Sequence, residues 1–503
     1  MVARTYSVAF SGINVLKIGI EVQLGSGLPA FAIVGLADKA IAESKERVRA
    51  ALHSMGLSLP AKRITVNLAP ADVLKEGTHY DLPIAMAVIA AMGIVPAEVI
   101  HNYMMLGELG LDATIRPVSG ILPASVAAKQ HDMGFVCPME QGGEAAWSNN
   151  DGIIAPHTLL QLINHFKGQA FLSAPVCHPI AQETAGLDFG DVKGQESAKR
   201  VLEIAAVGGH NVLMVGPPGS GKSMLASRMP SIMPPMTPEE ILQVSQIHSV
   251  AGLLKDGRLV TQRPFRSPHH SASTPAMVGG GLRTRPGEIS LAHRGILFLD
   301  ELPEFNRSTL ETLRQPLETG VVSVARVNSH ITYPARFQLI AAMNPCRCGY
   351  LGVKGHECAR APKCADEYQS KISGPLLDRI DLYIDVPSVA PWELGNVQGG
   401  ESSKSIQARV LKAVDFSKER FKGTLIMKNG EADGTFLEEI ALLTDEARQI
   451  LIQAAEKWML SGRGYHRIMR VARSIADLDQ SGDVKKHHMT EALSYRKSFI
   501  KSE

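Results

Sequence analysis

The stretch NVLMVGPPGSGKSM, Asn211 to Met224, decides how the whole chain is read. A short apolar strand, Asn211 to Val215, runs into Gly216-Pro217-Pro218-Gly219-Ser220-Gly221-Lys222-Ser223. This is the pattern G-x-x-x-x-G-K-[ST] in a strand–loop–helix setting, a phosphate-binding loop. Its glycines let backbone N–H groups point at phosphate oxygens with no Cβ in the way. The helix that opens at Lys222, Ser223 and Met224 adds the positive end of its dipole. Lys222 is placed to bridge β- and γ-phosphates and Ser223 to ligate Mg²⁺, so ATP and Mg²⁺ are the expected cofactors.

Two further apolar strands follow. GILFLDE, Gly295 to Glu301, ends in two carboxylates and suits a buried parallel sheet beside the loop strand. Asp300 is placed to hold Mg²⁺ and Glu301 to polarise the attacking water as general base. FQLIAAMNP, Phe337 to Pro345, carries Asn344 at its end. Between them DELPEFNRSTLETLRQPLETG reads as a helix with Leu310, Leu313 and Leu317 on one face.

This strand–helix–strand order resembles the AAA+ ATPases. The resemblance implies that Asn344 is the sensor-1 residue that orients the lytic water. SGPLLDRID, Ser373 to Asp381, is similar to the AAA+ segment whose arginine reaches a neighbouring subunit, which makes Arg379 the expected arginine finger. SGRGYHRIMRVAR, Ser461 to Arg473, resembles the sensor-2 helix, with Arg463 the best match and Arg467 and Arg470 as alternatives. A guanidinium keeps its charge and meets phosphate oxygens bidentately, as both roles need. A finger given to a neighbour implies a closed ring.

DFGDVKGQESAKRVLEIAAVGGHNVLMVGPPGSGKS, FRSPHHSASTPAMVGGGLRTRPGEISLAHRGILFLDELPEF and YPARFQLIAAMNPC together resemble the YifB/ComM branch of the magnesium-chelatase-like AAA+ ATPases. Val192 and Gly194 then join the ATP-binding set. The resemblance spans essentially the full chain and implies a cytoplasmic, ring-shaped, ATP-driven DNA motor. Such a motor promotes branch migration while incoming DNA is recombined in natural transformation. Two segments occupy positions where related ring helicases carry pore insertions. MVGGGLRTRPGE holds Arg283 and Arg285, and VVSVARVNSHITYPAR reads as a hairpin with Arg326, Asn328 and His330 near its turn. Arginines and small polar groups on loop tips suit sequence-independent phosphate contact. His269 and His270 are adjacent, and adjacent side chains point apart on most backbones, which favours a structural or subunit-contact role over a metal site.

LKEGTHYDLPIAMAVIAAMG and LGELGLDATIRPVSGILPASVAAKQHDMGFVCP resemble the proteolytic domain of Lon-type proteases, which has a ribosomal-S5-domain-2-like fold. Such a site needs a serine nucleophile and a lysine base. Here the serine region reads Gly77-Thr-His-Tyr-Asp-Leu-Pro83, and Leu122 stands at the lysine position, so peptidase activity is not expected. The expected organisation is a multi-domain α/β protein. A Lon-protease-like α+β domain at 1–168 is followed by a linker at 169–187, an AAA+ P-loop domain at 188–395 and a C-terminal helical lid at 396–503.

Within the first domain, Tyr6 to Gly35 reads as a β-meander, Asp38 to Met55 as an amphipathic helix, and MMLGELGLDATIRPV as a hairpin. LPIAMAVIAAMGIVPA is too short to cross a bilayer and is broken by Pro83, Gly93 and Pro96, so it reads as a buried helix. The opening residues lack the apolar core of a signal peptide. Net charge is +2, so any basic surface for nucleic acid is local. Competing readings are an ATPase that remodels a protein partner, as magnesium chelatase does, an ATP-dependent protease, and a nucleotide-binding scaffold. The last is disfavoured by the presence of both Asp300 and Glu301.

Four of the six cysteines, Cys346, Cys348, Cys358 and Cys364, fall in MNPCRCGYLGVKGHECARAPKC, with His356 among them. Four soft ligands within such a stretch suit a closed tetrahedral Zn²⁺ site. Free thiols in a polar loop and redox switching are the alternatives.

Overall fold

The structure, a computed structural model, describes residues 2–177, 186–254, 256–280, 285–326, 329–351, 358–388, 399–424 and 426–496, with side chains at 325, 326, 329 and 330 excepted. Arg283, Asn328, His356, the side chains of Arg326 and His330, and the expected 395/396 boundary lie outside the described residues.

The N-terminal sheet contains β1 (Val2–Ser11), β2 (Asn14–Gly25), β3 (Ala30–Val34), β4 (Arg63–Ala69), β5 (Tyr103–Met105), β6 (Gly134–Val136) and β7 (Ile153–Ile154), in the order β3-β4-β2-β1-β5-β6-β7. β1 and β2 form the expected antiparallel hairpin. The meander stops there, because β4 inserts between β2 and β3, and β3 pairs parallel with β4. Helix α1 (Lys39–Ser54) supplies the crossover that parallel pairing requires, and Asp38 caps it by accepting from the Ile41 N–H. The apolar run forms α2 (Asp81–Ala91), buried on every side and packed on β1 and β2. The expected hairpin spans Glu108 to Arg116, while Met104 and Met105 join the large sheet.

Where a Lon-type dyad would stand, Leu122 is fully buried at the start of α3 (Ile121–Gln130). Asp81 is bound to Arg47 and Ser44 instead.

The second sheet is all parallel. It contains β8 (Val212–Val215), β9 (Phe265–Arg266), β10 (Ile296–Leu299), β11 (Gln338–Met343) and β12 (Leu382–Asp385), in the order β9-β10-β11-β8-β12. Central strands buried on both faces read as continuous apolar runs, as ILFL and QLIAAM do. The segment expected as one helix between β10 and β11 is two short ones, Arg307–Glu311 and Arg314–Thr319. Pro316 has no N–H to bond back one turn, which accounts for the break around Thr312. Leu310 and Leu313 still reach the core.

One hydrophobic core joins this sheet to the C-terminal helices. It runs from Val201 and Leu225 to Ile468, Val471 and Ile475 of α4 (Gly462–Leu478).

The two sheets also meet. Ser249, on the helix Pro238–Ala251, donates to the buried Glu144 carboxylate at 2.6 Å, and its carbonyl accepts from the Gly120 N–H at 3.0 Å. Burial pushes the Glu144 carboxyl upward, and the Ser249 hydroxyl and Leu122 N–H oppose that shift. No helix among the described residues is long and apolar enough to cross a membrane.

Candidate active site

β8, β10 and β11 end side by side, which gathers the three motifs at one edge of the parallel sheet. Gly216 is required there, since a Cβ on it would stand 2.1 Å from the Val386 carbonyl oxygen. Gly221 takes φ +89 at the start of the helix Lys222–Ile232, a conformation that glycine adopts without strain. Lys222 folds back over the loop and donates to the carbonyls of Gly216 at 2.8 Å and Pro217 at 2.9 Å. Its Nζ also lies 3.3 Å from Asn344 Oδ1, tying the end of β11 to the loop. Burial pulls the Lys222 ammonium below its ordinary range, and Asp300 and Glu301 counter that pull.

Ser223 Oγ donates to Asp300 Oδ2 at 2.6 Å, so the two oxygens expected to share Mg²⁺ are already adjacent. Glu301 sits in the left-handed region at φ +52, with its N–H donating to Asp300 Oδ1 at 2.9 Å. That turn sends the two carboxylates along different paths. The Glu301 side chain is half exposed, with Oε2 3.4 Å from His270 Nδ1. A paired oxygen set, a cationic group over a glycine-rich cradle and an acid facing open solvent fit an Mg²⁺–nucleotide.

Three contacts here were not read from the sequence. His270 beside Glu301 is one, although the SPHH segment had drawn attention to it. Gln195 is the second: it follows Gly194 in a left-handed turn and donates to the carbonyls of Ser220 at 3.3 Å and Pro387 at 2.6 Å. Val192, three positions earlier, is fully buried in the core beneath this sheet. The third is Gly349, whose Cβ would meet Pro218 Cδ at 2.6 Å, so the cysteine loop rests on the phosphate loop.

The cysteine loop itself brings its sulfurs together. All four Sγ atoms lie within 4.8 Å of one another, and those of Cys346 and Cys348 are 3.2 Å apart. A tetrahedral site with Zn–S bonds of about 2.3 Å needs sulfurs about 3.8 Å apart, so the set fits the ion after small adjustments.

Arg379 and Arg463 are not at this edge. They line a cleft of about 470 Å³ where the parallel strands begin, beside Asn211, Gly295, Gln338 and Asp381. Strands of four to six residues separate the two edges by roughly 13–20 Å, beyond the reach of an arginine side chain. Arg467 is buried and bound to Asp378 at 3.2 Å, and Arg470 pairs with Asp433 at 3.0 Å, so both alternatives are engaged within the chain. Arg463 is 69% exposed, and among the described residues its guanidinium pairs with Glu318, at 3.8 Å.

Both segments expected as pore insertions have hairpin backbones. Gly279–Gly280 pairs with Arg285–Pro286, and Val321–Arg326 pairs with Ser329–Pro334. The β1–β2 turn braces the second hairpin, since a Cβ on Gly12 would lie 2.3 Å from the Thr332 carbonyl oxygen.

The phosphate loop, the acidic strand end and this strand order define a P-loop ATPase of the AAA+ class. Family models match residues 188–394 (magnesium chelatase, subunit ChlI), 20–141 (subunit ChlI of Mg-chelatase) and 400–496 (subunit ChlI, C-terminal). The chain is 42% identical over 502 residues to competence protein ComM of Haemophilus influenzae, covering 98% of this chain and 97% of that protein. It is 41% identical over 495 residues to the YifB protein of Salmonella typhimurium, with the same coverage. The 67 kDa magnesium-chelatase subunit of Chlorobaculum parvum is 28% identical over 163 residues, which is 31% of this chain. The chain belongs to the YifB/ComM branch of the magnesium-chelatase-like AAA+ ATPases.

Proposed function

We propose that the chain forms a closed homo-oligomeric ring, taken as a hexamer, whose Mg²⁺-dependent ATP hydrolysis drives DNA through branch migration during recombination of incoming DNA. The observation that carries this reading is the separation of the catalytic parts. Lys222, Ser223, Asp300, Glu301 and Asn344 sit at one edge of the sheet, and Arg379 and Arg463 sit at the other. A site split in this way is completed by a second copy, and head-to-tail contacts that close give a ring. In that ring Lys222 holds the β- and γ-phosphates and Ser223 and Asp300 hold Mg²⁺. Glu301 takes the proton of the attacking water that Asn344 orients, and Arg379 and Arg463 of the next subunit meet the γ-phosphate.

DNA enters the proposal through full-length similarity to a competence protein and through the two hairpins, whose arginines at 283, 285 and 326 suit phosphate contact. His330 and Asn328 complete that set. Protein remodelling of the magnesium-chelatase kind is the alternative, supported by similarity over about a third of the chain. The N-terminal region is read as a peptidase-inactive tier that steadies the ring or the hairpins, with the domain limits given above.

The test is ATPase activity of ring-forming protein with and without DNA, together with movement of a synthetic four-way junction. Stimulation by DNA and ATP-dependent arm exchange are expected. A ring-forming sample that shows neither would contradict the DNA reading and leave the ATPase reading standing.

The cysteine set is proposed to hold one structural Zn²⁺ per chain. Metal analysis of protein purified without added zinc should find it. Stripping the metal with a thiol-reactive mercurial and chelator should weaken ATP binding, because Gly349 would lose its seat against Pro218. Protein purified with no zinc would end the first claim, and stripped protein with unaltered ATP affinity would end the second.

A further inference from the structure

Glu318 lies at the end of the short helix Arg314–Thr319, exposed to solvent, between two arginines from distant parts of the chain. Its Oε2 accepts from Arg379 Nη2 at 2.7 Å, and its Oε1 is 3.8 Å from Arg463 Nη2. The other terminal nitrogen of Arg379 donates to the Pro375 carbonyl at 2.7 Å, and its Nε is buried with no hydrogen-bond partner among the described residues. The Arg379 side chain is only 14% exposed. Its guanidinium is therefore parked against its own subunit rather than extended toward a neighbour. Arg379 holds the Glu318 carboxyl below the usual carboxylate range, which keeps it ionised at neutral pH.

We propose that Glu318 is a latch: it holds Arg379 and Arg463 together on their own subunit, and the Mg²⁺-triphosphate of a second copy displaces it. The proposal rests on the ring reading above. The chemistry favours the exchange. The Glu318 carboxylate is exposed, so solvent screens its pairing with the arginines. A triphosphate carries more charge than one carboxylate, and it offers several oxygens to two planar donors. Because Arg463 rides on α4 and Arg379 on the segment before β12, one carboxylate also couples the helical C-terminal part to the finger. Glu318 touches neither phosphate nor water in this scheme and is a positioning residue.

The test compares the wild type with Glu318→Gln, Arg379→Ala and the double variant. Steady-state ATP turnover is followed across protein concentration at fixed ATP. Glu318→Gln should raise turnover about two- to fivefold at low protein concentration, the scale of an exposed ion pair, and should reach its plateau at lower concentration. The double variant should stay as inactive as Arg379→Ala, and turnover regained in it would contradict a latch that acts on Arg379. If Glu318→Gln is as slow as the wild type or slower while Arg379→Ala is inactive, the latch is wrong and the ring reading survives. If Arg379→Ala turns over like the wild type, both fail together.

Discussion

Glu301→Gln should bind ATP and leave it uncleaved. Turnover should fall by about 10²–10⁴-fold, the usual contribution of a positioned general base. Glutamine keeps the volume and one acceptor but cannot take the proton. Ser223 pairs with Asp300 while the Glu301 carboxylate meets His270, so Mg²⁺ binding should survive the change. Nucleotide affinity, measured with a fluorescent ATP analogue, should match the wild type, and assembled rings should accumulate. Rapid turnover by this variant would remove Glu301 from the role of base and turn attention to its neighbour His270.

Arg379→Ala should lose hydrolysis by about 10³–10⁵-fold, the range for an arginine that neutralises charge in phosphoryl transfer. It should still bind ATP, because Arg379 lies at the opposite edge of the sheet from Lys222. Lys222→Ala should fail earlier, at binding. These two variants therefore separate the halves of the site. Turnover by ring-forming Arg379→Ala at the wild-type rate would show that the arginine in the cleft serves another purpose.

The phosphate loop and the acidic strand end were legible because each is a short chemical pattern attached to a buried strand, whereas Asn344 came from the family resemblance. Parallel pairing of those strands brings their ends to one edge. What remained hidden depends on partners far away in the chain. The parallel pairing of β3 with β4 needs knowledge of where Arg63–Ala69 inserts, which no local alternation carries. The break at Thr312 could be anticipated from Pro316, but the leucine spacing spoke for a continuous helix. Gln195 acts on the phosphate loop through its side-chain amide and Gly349 through a close approach to Pro218, and neither distant contact shows in local periodicity. Glu318 is the clearest case, because its role comes only from two arginines that arrive 61 and 145 positions later (379 − 318 and 463 − 318). The arginine assignments themselves came from family resemblance, and the cleft adds a physical reason to favour Arg463. Among Arg463, Arg467 and Arg470, it is the one left exposed, with a single long-range partner.

The central claim is that each ATP site is built from two copies of the chain, and mixing two inactive variants tests it most directly. Lys222→Ala subunits bring an intact arginine face, and Arg379→Ala subunits bring an intact phosphate site. Co-assembled rings should regain a measurable fraction of wild-type ATP turnover at the interfaces where the two intact halves meet. A mixture that demonstrably co-assembles yet stays as inactive as either variant alone would contradict the account.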